Sequence, residues 1–188
     1  RTKTKSLAWV DEYDGVSART PAEAVADAQI VFLCVGNDSD VRSVTMEAGG
    51  VLSTMTAGTL LVDHTTTSKA LAEELHAACD ELSISFIDAP VSGGQAGAEN
   101  GVLTVMAGGT KSAFELMQPV IAAYAKHTQR MGDVGSGQVT KMVNQLCIAG
   151  ILGGLSEALH FAECAGLDIN EVTRAIQGGA AQSWQMDN

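Results

Sequence analysis

One segment, residues 136–165, constrains the fold more than any other, because it predicts a single long helix. It contains no proline, and its apolar residues recur at steps of three and four until Gly166. They overfill a single stripe, which is typical of a helix buried on much of its circumference. At about 1.5 Å per residue the helix would be on the order of 40 Å long. We therefore expect it to pass between two packed bodies.

The first turns of this predicted helix carry a group of polar residues on one face. They are Lys141, Asn144 and Gln145, which the three-and-four spacing makes neighbours. A lysine in an early turn opposes the helix macrodipole, which favours loss of its proton. A lone lysine on a helix is more often a solvated surface residue, so a catalytic interpretation depends on what else lies nearby.

The chain before this helix alternates strand and helix patterns. The apolar run at residues 30–35 predicts a strand buried on both faces, as in parallel sheets covered by helices. Further strands are predicted at residues 16–18, 59–63, 84–88, 102–107 and 128–131. Helices are predicted at residues 4–13, 21–28, from about 41, at 68–82, and at 111–123 with a break at Pro119. This alternation predicts a doubly wound, mostly parallel Rossmann-type α/β sheet.

The chain after residue 131 is wholly helical in pattern. Residues 168–170 predict a cap for a further helix at residues 171–177. We therefore expect an α/β domain at residues 1–134, followed at residues 135–188 by the long helix and the start of an all-α domain.

Composition excludes several kinds of partner. The formal net charge is −11 with only 11 Lys and Arg in 188 residues. Phosphate contacts need clustered basic residues, so we expect neither nucleic acid nor an anionic membrane as a partner. No uninterrupted apolar run reaches membrane length. The four cysteines and four histidines lack metal-ligand spacing, so no metal site is predicted, and buried reduced thiols indicate a cytoplasmic protein.

Ligands of open α/β sheets bind beyond the carboxyl ends of strands. Three polar or glycine-rich loops take that position here, at residues 36–38, 64–67 and 89–94. The third contains Ser92-Gly93-Gly94, whose hydroxyl and unshielded N–H groups can approach an anion. For that tripeptide alone, an ordinary glycine-rich turn is the favoured interpretation. The loop carboxylates are interpreted as cap or turn residues; they are Asp38, Asp63 and Asp88.

No GxGxxG dinucleotide fingerprint is present. Gly135-Ser136-Gly137 begins a near match, and Glu157 lies at about the distance of the acidic partner. The fingerprint also requires a strand before it and another soon after, whereas the predicted helix continues past Glu157. We therefore reject this interpretation.

Two longer motifs resemble the β-hydroxyacid dehydrogenase family. They are DAPVSGGQAGAENGVLTVMAGG at residues 88–109 and GSGQVTKMVNQ at residues 135–145. Both are similar in order and spacing to the branch with 3-hydroxyisobutyrate dehydrogenase and tartronate semialdehyde reductase, and the resemblance covers the whole chain. It implies a dinucleotide-binding domain at residues 1–134 and an interdomain helix with a partial helical domain at residues 135–188.

The resemblance also implies a role for each matching residue. Lys141 would exchange a proton with the substrate hydroxyl while hydride moves to or from NADP, with NAD as the alternative. The expected substrate-binding residues are Ser92, Gly93, Gly94, Asn144 and Gln145. The expected cofactor-binding residues are Arg1, Thr2, Val35, Gly36, Asn37 and Thr66, with the first two at the 2′-phosphate. A lysine desolvated between domains has its pKa lowered toward neutrality, as acid–base work near pH 7 requires.

The resemblance implies that family elements lie outside this sequence. The first strand and its glycine-rich loop are expected before Arg1, and the rest of the helical domain after Asn188. The chain is thus interpreted as a fragment without a pyrophosphate cradle, expected to be inactive by itself. Within the chain, His64 occupies a position where family members often have a small residue.

Other functions stay open beside a dehydrogenase of small 3-hydroxy acids. A non-catalytic nucleotide-binding relative has no need of Lys141. A 6-phosphogluconate-type oxidative decarboxylase needs a cationic phosphate pocket, and the region near Lys141 has few basic residues. Imine reductase relatives replace the lysine. The sequence does not choose among hydroxyisobutyrate, tartronate semialdehyde and succinic semialdehyde. A homo-oligomer is expected, because residues 148–159 are too apolar for an exposed helix.

Overall fold

The computed structural model describes residues 2–187, which form two compact units that meet between Lys141 and Met142. The helices are Lys3–Tyr13 (α1), Pro21–Ala24 (α2), Asp38–Thr45 (α3), Lys69–Glu81 (α4), Gly94–Glu99 (α5), Lys111–Ile121 (α6), Ser136–Cys164 (α7), Ile169–Ile176 (α8) and Trp184–Asp187 (α9), with a 3-10 turn at Val51–Ser53. The strands are Ile30–Leu33 (β1), Leu60–Asp63 (β2), Ser85–Asp88 (β3), Val91–Ser92 (β4), Leu103–Gly109 (β5) and Ala125–Gly132 (β6). Helix α7 begins in the first unit and continues into the second.

The six strands of the first unit form one mixed sheet. Strands β1, β2 and β3 are parallel neighbours, so their carboxyl ends lie at one edge. Strand β5 runs antiparallel to β3 and to β4, and β6 is parallel to β5. The doubly wound α/β prediction is confirmed, with antiparallel pairing where β5 joins β3 and β4.

Helices cover both faces of this sheet, because apolar residues alternate across β2. Leu61 packs in a cluster with Leu71 and Leu75 of α4. Leu60 and Val62 pack on the opposite face in a cluster that contains residues of α6. All four residues of β2 are buried, as a strand covered on both faces requires.

Side chains cap the helices that leave the sheet. Asn37 Oδ1 accepts from the Asp40 N–H at the start of α3, and Ser68 Oγ accepts from the Leu71 N–H at the start of α4. These caps satisfy N–H groups that have no partner within a helix. They fix both helix starts close to the carboxyl edge of the sheet.

Several predicted elements differ from the structure. Residues 16–18 form no strand, and the helix at Pro21 ends at Ala24 rather than at residue 28. Helix α6 continues through Pro119, because a proline near the end of a helix removes only one hydrogen bond. Strand β6 is longer than predicted. The elements β4, α5 and α9 were not predicted.

The long helix was predicted correctly in extent but not in burial. Its apolar side chains are largely exposed in this chain, including Leu146 at 73% and Phe161 at 76% of their surface. By length and composition α7 is also the one helix among residues 2–187 that could cross a membrane. A core helix of a soluble protein meets the same criteria, so this is weak evidence for a span. The absence of a membrane partner stays a prediction.

The cysteines are free, but the prediction that they are buried is wrong for three of the four. Cys79 is buried within α4, whereas the other three thiols are exposed. The exposed cysteines are Cys34, Cys147 and Cys164. Apolar neighbours in sequence did not imply burial here, because the helix that carries Cys147 and Cys164 exposes its apolar face.

Candidate active site

The candidate site lies at the carboxyl edge of the parallel strands. Leu33, Asp63 and Asp88 end the three strands in register, so the loops that follow them leave the sheet side by side. The first two of these loops carry the predicted cofactor residues. Gly36, Asn37 and Thr66 are exposed, and Val35 is partly buried.

Hydrogen bonds through Thr65 join the first two loops. Thr65 Oγ1 accepts from the Val35 N–H at 3.0 Å, and the Thr65 N–H donates to Asp63 Oδ1 at 2.8 Å. Burial raises the pKa of Asp63 to about 6, although the bonds from Thr65 act in the opposite direction. The buried carboxylate is thus a turn residue, as predicted, and it holds the two loops together.

Asp38 ties the first loop to the second from the other side. Its carboxylate accepts from the Ser68 hydroxyl at 2.5 Å and from the Ser68 N–H at 3.1 Å. The hydroxyl bond holds the pKa of Asp38 below its usual value. Asp38 is therefore a structural link between α3 and α4.

The predicted substrate-binding residues Ser92, Gly93 and Gly94 lie where β4 passes into α5. Gly93 has φ of +129° and Gly94 has φ of +62°, conformations that side chains rarely adopt. A Cβ atom on Gly93 would also lie 3.0 Å from Leu103 Cδ2. Both glycines are exposed and Ser92 is partly buried, so a hydroxyl and bare backbone are presented together.

Asp88 fixes the start of α7 against the end of β3. Asp88 Oδ1 accepts from the Gly135 N–H at 2.7 Å, and Oδ2 accepts from the Gln138 N–H at 2.9 Å. Burial raises the pKa of Asp88 to about 6, and the N–H bonds oppose that shift. The prediction of a cap residue is confirmed, although the helix that Asp88 caps lies 47 residues further along the chain.

Lys141 lies in the next turn of α7, three residues after Gln138. The lysine is partly buried, and this burial lowers its pKa. A lowered pKa brings an amine closer to the range in which it can exchange protons. Asn144 and Gln145 follow in the second unit, where the Asn144 amide donates to Gln145 Oε1 at 3.0 Å. The roles assigned to these residues stay predictions.

The two residues predicted at the 2′-phosphate are less informative. Arg1 lies outside the described residues. Thr2 is exposed at the residue before α1, and its side chain makes no capping hydrogen bond. Their proposed contacts with the cofactor stay predictions.

Two residues near the site were not predicted to have a role in it: Gln138 was not singled out from the sequence, and His64 was noted only as a departure from the family pattern. Gln138 is fully buried within the second motif and binds the loop between β2 and α4 through its side chain. His64 donates from Nδ1 to the Ala89 carbonyl at 2.6 Å, in the loop that leads to Ser92. A polar residue next to a glycine in a helix start was the available signal for Gln138. For His64 the signal was its departure from the family pattern.

The donor set at this edge fits part of a nicotinamide cofactor. Thr66 offers a hydroxyl, Gly36 offers bare backbone, and the amide nitrogen of Asn37 remains as a donor after its oxygen has capped α3. A Cβ atom on Gly36 would lie 2.5 Å from Asp40 Oδ2, so the end of that flexible side chain would have to move. The described residues include no glycine fingerprint for a pyrophosphate. The assignment of Val35, Gly36, Asn37 and Thr66 to cofactor binding stays a prediction.

Two family profiles match the chain. The profile described as the NAD binding domain of 6-phosphogluconate dehydrogenase covers residues 1–143. The profile described as NAD-binding of NADP-dependent 3-hydroxyisobutyrate dehydrogenase covers residues 135–188. They meet at the start of α7, so together they account for the whole chain.

Similar proteins span more sequence than this chain. An uncharacterized oxidoreductase of Shewanella frigidimarina is 54% identical over 188 residues, which are 100% of this chain and 65% of the relative. The 2-hydroxy-3-oxopropionate reductase of Escherichia coli is 33% identical over 89% of this chain and 58% of its own length. The chain thus spans about two thirds of such relatives or less.

A solved structure has the same fold. The 3-hydroxyisobutyrate dehydrogenase of Mycobacterium tuberculosis, solved with L-serine, superposes with a TM-score of 0.87 at 30% identity. The match covers 97% of this chain and 62% of that protein. With both motifs and both profiles in the same order along the sequence, the chain belongs to the β-hydroxyacid dehydrogenase family.

Proposed function

We propose that this chain is the core of an NADP-dependent dehydrogenase that interconverts a small 3-hydroxy acid and its semialdehyde. One observation carries the proposal: Lys141 is partly buried, with a lowered pKa, one turn beyond a helix start that is fixed to the carboxyl edge of the sheet. An amine in that place suits proton exchange with a hydroxyl on a ligand at the edge. The family supports the same chemistry.

Each residue has a defined task in this proposal. Lys141 takes the proton of the substrate hydroxyl during oxidation and returns it during reduction. Ser92 and the N–H groups of Gly93 and Gly94 bind the substrate carboxylate, and Asn144 and Gln145 orient the substrate. When bound, NADP supplies the hydride acceptor or donor. Thr66 and the 35–37 loop hold its nicotinamide half, and Arg1 and Thr2 contact the 2′-phosphate.

The choice of NADP rests on similarity. The profile that matches residues 135–188 is named for an NADP-dependent 3-hydroxyisobutyrate dehydrogenase, and NAD is the alternative. The solved relative holds L-serine, itself a small 3-hydroxy acid, which supports the substrate class. The Escherichia coli relative acts on 2-hydroxy-3-oxopropionate according to its name, which supports a semialdehyde as the second substrate type.

The proposal is tested by replacing Lys141 with Met in a version extended to the full length of its relatives. We expect turnover to fall by at least about 100-fold, because a positioned general acid–base contributes roughly that much or more. NADPH binding, followed by nicotinamide fluorescence, should stay unchanged. Lys126→Met is the matched control, since Lys126 is exposed on β6. Wild-type turnover in Lys141→Met would sink the proposal.

A substrate screen with NADPH and NADH separates the remaining enzymes. Hydroxyisobutyrate, tartronate semialdehyde and succinic semialdehyde are the compounds to compare. Release of carbon dioxide during turnover would indicate a 6-phosphogluconate-type decarboxylase instead. Absence of any nicotinamide fluorescence change would favour a non-catalytic relative.

We also propose that the full-length protein is cytoplasmic and forms a homo-oligomer. The exposed apolar side chains of α7 within the second unit, such as Leu146, Ile151 and Phe161, would need a cover in solution. A second copy or further helices of the full-length protein would supply it. Analytical ultracentrifugation of the full-length protein measures the oligomeric state, and a monomer at micromolar concentration would contradict this part.

A further inference from the structure

Gln138 is a fully buried polar residue that the proposed chemistry leaves without a task. Its amide makes two hydrogen bonds, and both reach the loop between β2 and α4. Oε1 accepts from the Thr67 N–H at 3.0 Å, and Nε2 donates to the Thr65 carbonyl at 2.7 Å. One side chain therefore pairs with the backbone on either side of Thr66, which is itself exposed.

The backbone of Gln138 is fixed as firmly as its side chain. Its N–H donates to Asp88 Oδ2, and Asp88 Oδ1 accepts from Gly135, at the residue before α7 begins. Both partners of these bonds are buried. Since a buried polar group that loses its partner is unfavourable, neither the helix start nor the loop can move alone.

Lys141 follows Gln138 by one turn. Residues three apart on a helix lie on neighbouring positions of one face, about 4.5 Å apart along the axis. Lys141 therefore leaves α7 on the same side as Gln138, which is the side of the loop that carries Thr66. The Gln138 side-chain amide therefore links the position of Lys141, proposed to contact the substrate, to the position of the Thr66 loop, proposed to contact the cofactor.

We infer that Gln138 is a positioning residue, which sets the separation between the Lys141 amine and the Thr66 loop. This inference rests on the proposed function of Lys141. It differs from a purely structural role in what it predicts, because a misplaced acid–base group slows the chemical step itself. A displacement of about 1 Å in an active site can cost on the order of 100-fold in rate.

The test is a single-turnover experiment on the full-length protein with Gln138→Met. Methionine keeps the length of the side chain but makes neither hydrogen bond. Enzyme in excess is mixed with NADP and the hydroxy acid, and nicotinamide absorbance is followed. We expect the first-order rate constant to fall roughly 100-fold while the amplitude stays that of the wild type. Because the substrate is limiting, the amplitude reports the substrate converted, and a separate NADPH titration of each variant counts the folded, binding-competent enzyme. A loss of fold alone would lower that count and leave the rate constant at saturating folded enzyme unchanged.

Two further variants keep the test decisive. Gln118→Met is the matched control, since Gln118 is exposed on α6, and it should behave as the wild type. If Gln138→Met does not fold, Gln138→Glu replaces it. That variant has the same size and keeps the acceptor for Thr67, but it turns an oxygen toward the Thr65 carbonyl.

The outcomes separate this inference from the proposed function. A wild-type rate constant in a folded Gln138 variant, alongside a slow Lys141→Met, overturns the positioning role and leaves the proposed function standing. A wild-type rate constant in Lys141→Met overturns the proposed function, and the positioning role with it.

Discussion

The Nε2 atom of His64 lies 2.7 Å from the hydroxyl oxygen of Tyr124. The other ring nitrogen lies 2.6 Å from the Ala89 carbonyl, which can only accept. Nδ1 therefore carries the proton, and Nε2 accepts from the tyrosine hydroxyl. The ring also stacks on Phe32 with centroids 5.6 Å apart. A neutral imidazole satisfies every one of these contacts, and burial lowers the pKa of His64, which favours the neutral form.

Acidification should measurably reduce the stability that neutral His64 contributes to the fold. Burial lowers the pKa of His64, so the unfolded chain binds a proton at a higher pH than the folded one. The stability that neutral His64 contributes is present above the unfolded pKa of about 6.5 and is lost as pH falls through the folded value. We expect His64→Phe to lose less stability than the wild type between pH 7.5 and pH 5.5.

Urea unfolding at the two pH values measures this difference. Burial raises the pKa values of Asp63 and Asp88, so their contributions have the opposite sign, but both variants share them and they cancel in the comparison. Tyr124→Phe is the companion variant: it should cost about 1 kcal/mol at pH 7.5, where only one hydrogen bond is lost. Equal losses on acidification in His64→Phe and the wild type would contradict the prediction.

A second prediction concerns the loop proposed to bind the substrate carboxylate. Gly93→Ala places a Cβ at φ of +129° and 3.0 Å from Leu103 Cδ2, so the loop must shift. We expect the KM for the hydroxy acid to rise by roughly tenfold or more, since a strained conformation of this kind costs about 1–3 kcal/mol. The Kd for NADPH should stay unchanged, because the shifted loop is not the one assigned to the cofactor.

The matched control for Gly93 is Gly58→Ala. Gly58 also has a positive φ, of +85°, but no atom of the described residues lies within 4 Å of the place that its Cβ would take. It precedes β2, far along the chain from the loop. This variant should lower stability without changing KM. Steady-state kinetics on both variants decide the matter, and a KM for Gly93→Ala equal to that of Gly58→Ala would refute the assignment.

The sequence was sufficient for elements whose pattern is local. The apolar run at residues 30–35 and the spacing in residues 136–165 predicted β1 and α7, because side-chain periodicity follows directly from strand and helix geometry. Strand β4 was not predictable in this way, since two residues carry no period. Residues 16–18 contain one strand-forming side chain, Val16, and no neighbouring strand pairs with them. Propensity alone therefore misled.

The same distinction between local patterns and long-range contacts applies to the candidate site. Lys141 and the Ser92-Gly93-Gly94 loop were recognisable because their motifs are contiguous in sequence. The pairing of Gln138 with the loop at Thr65 and Thr67 joins residues 73 and 71 positions apart, and no pattern within either segment signals it. The cap that Asp88 provides for α7 is equally long-range. Such contacts depend on sheet register, which sequence alone specifies weakly.

The last prediction concerns the close approach of α7 to the sheet. A Cβ atom on Gly137 would lie 2.6 Å from the Asp88 carbonyl oxygen, 2.8 Å from Asp88 Oδ2, and also too close to the Met106 carbonyl. Backbone atoms cannot yield as a flexible side chain would. Gly137→Ala should therefore push the first turn of α7 away from β3 and weaken the Asp88 cap, at a cost of roughly 1–3 kcal/mol.

Gly153→Ala is the control within the same helix. Apart from its chain neighbours and the nearby backbone of α7 itself, no described atom lies within 4 Å of a Cβ at Gly153, so alanine should stabilise the helix by about 0.5–1 kcal/mol through its higher propensity. The two alanine substitutions thus have opposite predicted signs, although both replace a glycine inside α7. Thermal unfolding of the 188-residue chain measures both. A Gly137→Ala variant as stable as Gly153→Ala would mean that helix α7 does not depend on close contact with Asp88 for its position.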